Sequence, residues 1–254
     1  MDTIIQILAR ELDRPEQHIE NIITLLDEGN TVPFIARYRK ELHGAMDDQL
    51  IRQLADRLQY LRNLQTRRDE VKQSIEGQGK LTEELSAAID AASTLAEVED
   101  LYRPYKQKRR TRATMAKEKG LEPLALLLFA QERDCPDPLA EAAKYVDPEK
   151  GVETAEDALQ GASDIVAEII SDDADIRKSL RELYSRRASI TSKAAAKEPE
   201  DSVYRLYYEF SSLISKTQGH QILAMNRGER EEILKVGIEL DRELALVAIR
   251  RAVV

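Results

Sequence analysis

Residues 47–76 read DDQLIRQLADRLQYLRNLQTRRDEVKQSIE, and this stretch decides the fold class. Leu50, Leu54, Leu61, Leu64, Val71 and Ile75 recur at mixed three- and four-residue spacing, which places them on one face of a helix. A helix of about 30 residues is about 45 Å long at 1.5 Å per residue. That exceeds the diameter of a small domain, so the helix is expected to reach between packing units. Gly77 and Gly79 end it.

The helical period continues on both sides. Ile4, Ile5, Leu8 and Leu12 form an apolar stripe. Asp13-Arg14-Pro15-Glu16 reads as a helix start with Asp13 as the cap, followed by Ile19, Ile22, Ile23 and Leu26 on the buried face and Gly29 as the stop. Thr31 caps a short helix that turns Phe34 and Ile35 inward and Arg37, Arg39 and Lys40 outward. Beyond the long helix, Thr82 and the Thr94–Glu97 pair start two more. Gly120 and Pro123 separate a helix ending near Lys119 from an apolar one over 124–129. Residues 135–151, rich in Asp, Pro and Glu, read as a linker or loop. Helices resume over about 154–170 and 173–189, and 193–199 is polar and Ala-rich. Residues 202–215 carry Tyr204, Leu206, Tyr207, Tyr208, Phe210 and Leu213 on an apolar face, and a further helix covers about 219–226. Leu234, Val236, Ile238 and Leu240 alternate with Lys235, Gly237 and Glu239, the period of a strand. Asp241 caps a final helix. The expected fold is mostly α: a multi-helix N-terminal region over 1–200 with one long helix, then a helix-turn-helix-like unit and a short strand over 201–254.

Composition narrows the function classes. Of 254 residues, 33% are charged and 5% aromatic, with one Cys, three His and no Trp. So few aromatic residues disfavour an all-β sandwich, and a single Cys excludes a disulfide framework or a Cys-built zinc site. No apolar run approaches the 18 residues of a membrane span. The opening MDTIIQILARELDRPEQ lacks a signal-peptide layout, and a cytoplasmic protein is expected. The net charge is −9, yet it is segregated: +7 over 101–119, −11 over 131–176 and +6 over 177–197. Segregation of this kind matters more than the total.

The strongest constellation is LYRPYKQKRRTRATMAKEKG, 101–120. Pro104 disfavours helix at Arg103, so the chain is expected to turn or extend there. Arg103, Lys106, Lys108, Arg109, Arg110 and Arg112 form a stretch too charged to bury, with Tyr102 and Tyr105 among them. Guanidinium groups match phosphate oxygens and Tyr faces stack on unpaired bases, a footprint for RNA or single-stranded DNA. A solvated loop, or one paired with the acidic 131–176 segment, is the competing reading. Arg37, Arg39 and Lys40 form a second cationic cluster, which an ordinary amphipathic helix also explains. Arg177, Lys178, Arg181, Arg186, Arg187, Lys193 and Lys197 form a third, weaker one. SKTQGHQILAMNRGERE, 215–231, with the strand after it, suggests a helix-turn-helix or winged unit.

Catalytic patterns are missing. Cys135 has no His near it in sequence, and His18, His43 and His220 share no metal-ligand spacing. GQGK at 77–80 is superficially similar to a phosphate loop, but Ser74 stands where the first Gly belongs and Leu81 where Ser or Thr belongs. Asp172, Asp173 and Asp175 are better explained by a helix start than by a metal. Neither an enzyme nor a cofactor nor a metal is expected.

Three segments, TVPFIARYRKEL at 31–42, LYRPYKQKRRTRATMAKEKGLEPLA at 101–125 and GHQILAMNRGERE at 219–231, in this order and spacing resemble the N-terminal part of Tex, the bacterial transcription accessory protein family. Gln107 and Met115 depart from the Pro and Ile of that pattern without removing charge. The resemblance implies a mostly helical region with a helix-turn-helix-like unit, a role in nucleic-acid binding and transcription, and no enzymatic activity. It also implies that the nuclease-fold, helix-hairpin-helix and OB-fold domains of full-length members lie outside this chain, which is then an N-terminal fragment. The partners it implies are nucleic acid bound without sequence preference and the transcription or translation machinery, with no membrane. The rival reading is a helical scaffold that positions those further domains.

Overall fold

Capping side chains set the helix starts. The Thr3 hydroxyl accepts from the Gln6 N–H while the Gln6 side chain accepts from the Thr3 N–H, a reciprocal pair that opens α1 (Ile4–Leu12). Asp13 does not cap the next helix. It closes α1 in the left-handed region at φ 51°, and Pro15 stands at the N-cap of α2 (Glu16–Asp27) without a side-chain cap, having no polar side-chain atom to offer. Gly29 stops α2 at φ 86°, and α3 (Val32–Tyr38) follows. Asp47 accepts from Leu50 N at 2.7 Å to start α4 (Asp48–Glu76), 29 residues without a break. Thr82 and Thr94 cap α5 (Glu83–Ala91) and α6 (Leu95–Tyr102).

This computed structural model describes residues 3–132, 137–195 and 202–254, and its packing falls into two units, Met1–Tyr105 and Lys106–Val254. In the first unit α4 serves two cores. Its Ile51, Leu54, Leu58 and Leu61 join Leu8, Ile19, Ile22 and Ile35 from α1–α3. Further along, Leu64, Val71 and Ile75 meet Ile89, Ala92 and Val98 on the side of α5 and α6. The expected reach of the long helix between packing units is therefore its structural role.

In the second unit α7 (Arg112–Glu118), α8 (Glu122–Ala130) and α9 (Pro138–Ala142) pack on α10 (Ala155–Asp172). The core contains Ala116, Leu121, Leu124, Ala142, Val152, Ala158 and Ile165. The segment expected to be a linker is thus packed: Ala142 and Val152 are fully buried, and Asp147 bridges to Val152. Its Pro and Asp residues start short helices, Asp137 capping α9 and Asp147 a 3-10 turn. Asp173 likewise caps α11 (Ala174–Arg187) through the Ile176 N–H.

Three strands follow where the sequence suggests one. β1 (Ser189–Ala194) lies between β2 (Glu209–Leu213) and β3 (Leu234–Glu239), antiparallel to both, with Ser192 opposite Phe210 and Val236. Residues 202–215 are a strand between two 3-10 turns and not a helix. The boundary expected at 200/201 falls between strands of this one sheet. α12 (Gly219–Arg230) packs on β3, and α13 (Arg242–Val253) on α11. Cys135 and Lys197 lie outside the described residues.

Candidate nucleic-acid interface

Pro104 does not break the helix at Arg103 as the sequence reading expects; the last turn only tightens. Residues Arg103–Tyr105 make a 3-10 turn that directly continues α6, and Arg103 keeps helical dihedrals of −53° and −42°. The two tyrosines are committed to the first unit. Tyr102 is half-buried against the Ile75 core, its hydroxyl 2.9 Å from Ser74 Oγ and its ring under the Arg67 guanidinium at 5.5 Å. Tyr105 packs on the same core, and its carbonyl accepts from Gln78 at 3.0 Å. Neither offers a free face to a base. Arg103 is exposed but has a partner.

Within the second unit, the cations from Lys106 to Arg112 divide into held and open ones. Lys108 pairs with Asp172 and, at 3.4 Å, with Glu168, and only 26% of its side chain is exposed. Thr111 starts α7 by accepting from Thr114 N and donates to Glu168 at 3.0 Å. Arg112 reaches towards Asp164 at 3.7 Å, and its side chain is 80% exposed. Asp164, Glu168 and Asp172 succeed one another every four residues on α10, so one helix face fixes the loop. Arg110 pairs with Glu118 at 2.7 Å but stays on the surface. Lys106 and Arg109 are exposed and make no ion pair among the described residues. The competing sequence reading, pairing with the 131–176 segment, is thus realised at Lys108 and touched on at Arg112, and not along the loop as a whole.

The first unit carries its open charge on α3. Ile35 is fully buried, and its carbonyl lies 3.1 Å from Nε2 of the fully buried His43. That anchor fixes which side of α3 faces out. Phe34 is not turned inward as the sequence reading expects. It is 37% exposed, Tyr38 is 58% exposed, and their rings sit 5.2 Å apart at 43°. The reason is the helical period: Val32, Ile35 and Ala36 form the face packed on the core, and Phe34 falls beside it. The Arg37 and Arg39 guanidiniums stand 6.0 and 5.8 Å from the Tyr38 and Phe34 centroids, at the outer range of cation–π attraction. Arg37, Arg39 and Lys40 are exposed and make no ion pair among the described residues. On α4, by contrast, Arg57, Arg62 and Arg67 are tied to Glu11, Asp27 and Glu99 at 2.6–2.7 Å. Spacing alone misses Phe34 and Tyr38 as surface groups, although their i, i+4 separation shows that they share a face.

Residues 2–76 match the family model of the Tex-like protein N-terminal domain, and residues 134–251 that of the Tex central region-like family. The chain belongs to the Tex family. It is 49% identical over 237 residues to YdcI of Bacillus subtilis, an alignment covering 92% of this chain and 33% of that protein. Identity is 42% over 237 residues to the transcriptional accessory protein Tex of Neisseria gonorrhoeae, covering 93% and 31%. It is 32% over 247 residues to the human S1 RNA-binding domain-containing protein 1, covering 93% and 24%. The chain spans about a third of the length of the bacterial relatives it matches. The basic loop of this Tex-family chain lies between the two matched stretches. No helix among the described residues is long and apolar enough to cross a membrane.

Proposed function

We propose that this chain is a nucleic-acid-binding module of a transcription accessory protein, non-enzymatic, which grips phosphates without reading base sequence. Its contacts are the exposed cations: Arg37, Arg39 and Lys40 on the first unit and Lys106 and Arg109 on the second, which make no ion pair among the described residues, with Arg110 and Arg112, whose ion pairs lie on the surface. The observation that carries this reading is the contrast between Arg57, Arg62 and Arg67 of α4, tied in short ion pairs, and Arg37 and Arg39 at the C-terminal end of α3, which make none among the described residues. Lys108 has a positioning role in this scheme, holding the loop to α10. RNA is the favoured polyanion, in keeping with the name of the human relative and with transcription in the name of the gonococcal one.

The test is titration of a fluorescent 12-nucleotide single-stranded RNA with the full chain at low salt. The triple charge reversals R37E/R39E/K40E and R109E/R110E/R112E are each expected to weaken binding about tenfold or more, since each removes several phosphate contacts. If both leave the affinity unchanged, the reading fails. A nucleotide- or nucleic-acid-hydrolysing activity abolished by a point substitution would overturn its non-enzymatic part.

A second reading, a scaffold that docks other domains or proteins of the transcription or translation machinery, is favoured by apolar side chains standing in solvent on the second unit. Leu223 is 72%, Ile238 59% and Leu126 52% exposed. Absence of RNA binding together with loss of a protein contact on Leu223→Ser would select it.

A further inference from the structure

We infer that the outer face of α3 is a base-stacking platform, so that the nucleic acid taken by the first unit is single-stranded and is held by Phe34 and Tyr38 as well as by charge. The inference rests on the phosphate-binding reading above and adds two residues and a strand preference to it. Bases of a duplex are stacked on each other and withhold their faces. Only unpaired bases can lie on an aromatic side chain, and they do so with little regard to sequence because every base has a π-face.

Three features of α3 meet this requirement together. Two aromatic rings in contact are both exposed, in a chain whose loop tyrosines, Tyr102 and Tyr105, are packed on a core. Three cations, Arg37, Arg39 and Lys40, lie within the same seven positions as the rings, and Glu41 is the one acid in the 31–42 motif. The backbone beneath is rigid, because Ile35 and His43 are fully buried and bonded to each other. Rings for bases beside guanidiniums for phosphates repeat the two halves of a nucleotide. The guanidiniums hover at the edge of their range from the rings, from which a rotation about the side chain carries them to a phosphate while the ring receives the base. An acidic peptide would satisfy the charges but would leave the paired rings without a role.

The chain contains no Trp, so Phe34→Trp in the full chain gives a fluorophore at this site without background. Single-stranded U12 and a hairpin of equal phosphate number, its loop replaced by a non-nucleotide linker so that every base is paired, serve as probes. Saturable quenching by U12, at a concentration about tenfold below any effect of the hairpin, is the expected result. Phe34→Leu combined with Tyr38→Ala is expected to weaken U12 binding about tenfold and to leave hairpin binding unchanged. Leu retains the partly buried bulk of Phe34, so an unchanged melting temperature verifies that the fold persists. Equal quenching by both probes, or loss of affinity for both in the ring variant, overturns stacking. If R37E/R39E/K40E still weakens binding in that case, the phosphate reading survives alone. Quenching by poly-glutamate but not by U12 would make α3 a protein dock and would sink the inference. No binding of either probe by the unmodified chain would sink both.

Discussion

At the residue scale, most of the ordered charge in the first unit is structural. Arg57 donates from Nε and Nη2 to the two oxygens of Glu11, both at 2.7 Å, and Arg62 grips Asp27 in the same forked way. The Arg57 hydrogen bonds hold the Glu11 carboxyl below its ordinary 4.5, and those of Arg62 hold Asp27 below 3.8. Because both folded values are depressed, the stabilisation is fully present above the unfolded values and is lost as pH falls from about 4.5 through the folded ones. Glu11→Gln with Asp27→Asn is therefore expected to flatten the acid limb of a melting-temperature profile below pH 4.5 and to lower the plateau at pH 7 only slightly, as these are surface pairs. Gly44 provides a sharper test. It sits at φ 59°, and a Cβ there would run into the His18 ring. Gly44→Ala should cost about 1–3 kcal/mol in denaturant unfolding, from a conformation unsuited to Ala and from overpacking. Neither the Glu11 and Asp27 pairings nor the His18 contact is visible in a sequence, because the partners are 46, 35 and 26 positions apart.

At the element scale, what the sequence conveys depends on how local the signal is. α4 is legible in full, because an uninterrupted three-four period fixes a helix by itself. β3 is legible through its alternation, whereas β1 is not. The buried positions of β1 are Thr191 and Ser192, so no apolar period marks it, and β2 has only two apolar residues, Phe210 and Leu213, three positions apart and so on opposite faces. β1 is a strand because β3 offers it an edge, and β2 because β1 offers it the opposite one, both long-range causes. The basic loop is legible as charge, but which cations stay open is decided by the acidic face of α10. Lys108→Ala should accordingly behave as a stability variant, losing about 1 kcal/mol with its ion pairs to Asp172 and Glu168, with a smaller effect on RNA affinity than Arg109→Ala. The opposite ranking would refute the positioning role. For α4, Leu54→Ala and Ile75→Ala should each cost about 2–5 kcal/mol. Hydrogen exchange should separate them, Leu54→Ala speeding exchange in α1–α3 and Ile75→Ala in α5 and α6.

At the scale of the whole molecule, a net charge of −9 would by itself predict repulsion from nucleic acid. Under the proposed function, the exposed cations that make no ion pair would offset this locally. Binding should therefore be steep in salt: with about four phosphates neutralised, the logarithm of the RNA association constant should fall with the logarithm of salt at a slope of about −3. A slope near zero would show that charge does not hold the strand. The sharing of α4 by two cores has a further consequence. Its residue count fixes the rotational phase between them. One extra amino acid inserted between Leu64 and Val71 would swing everything downstream by about 100° and advance it about 1.5 Å, presenting Val71 and Ile75 to solvent. Substitutions along that stretch are graded in their effects, but a change in its length is all or nothing.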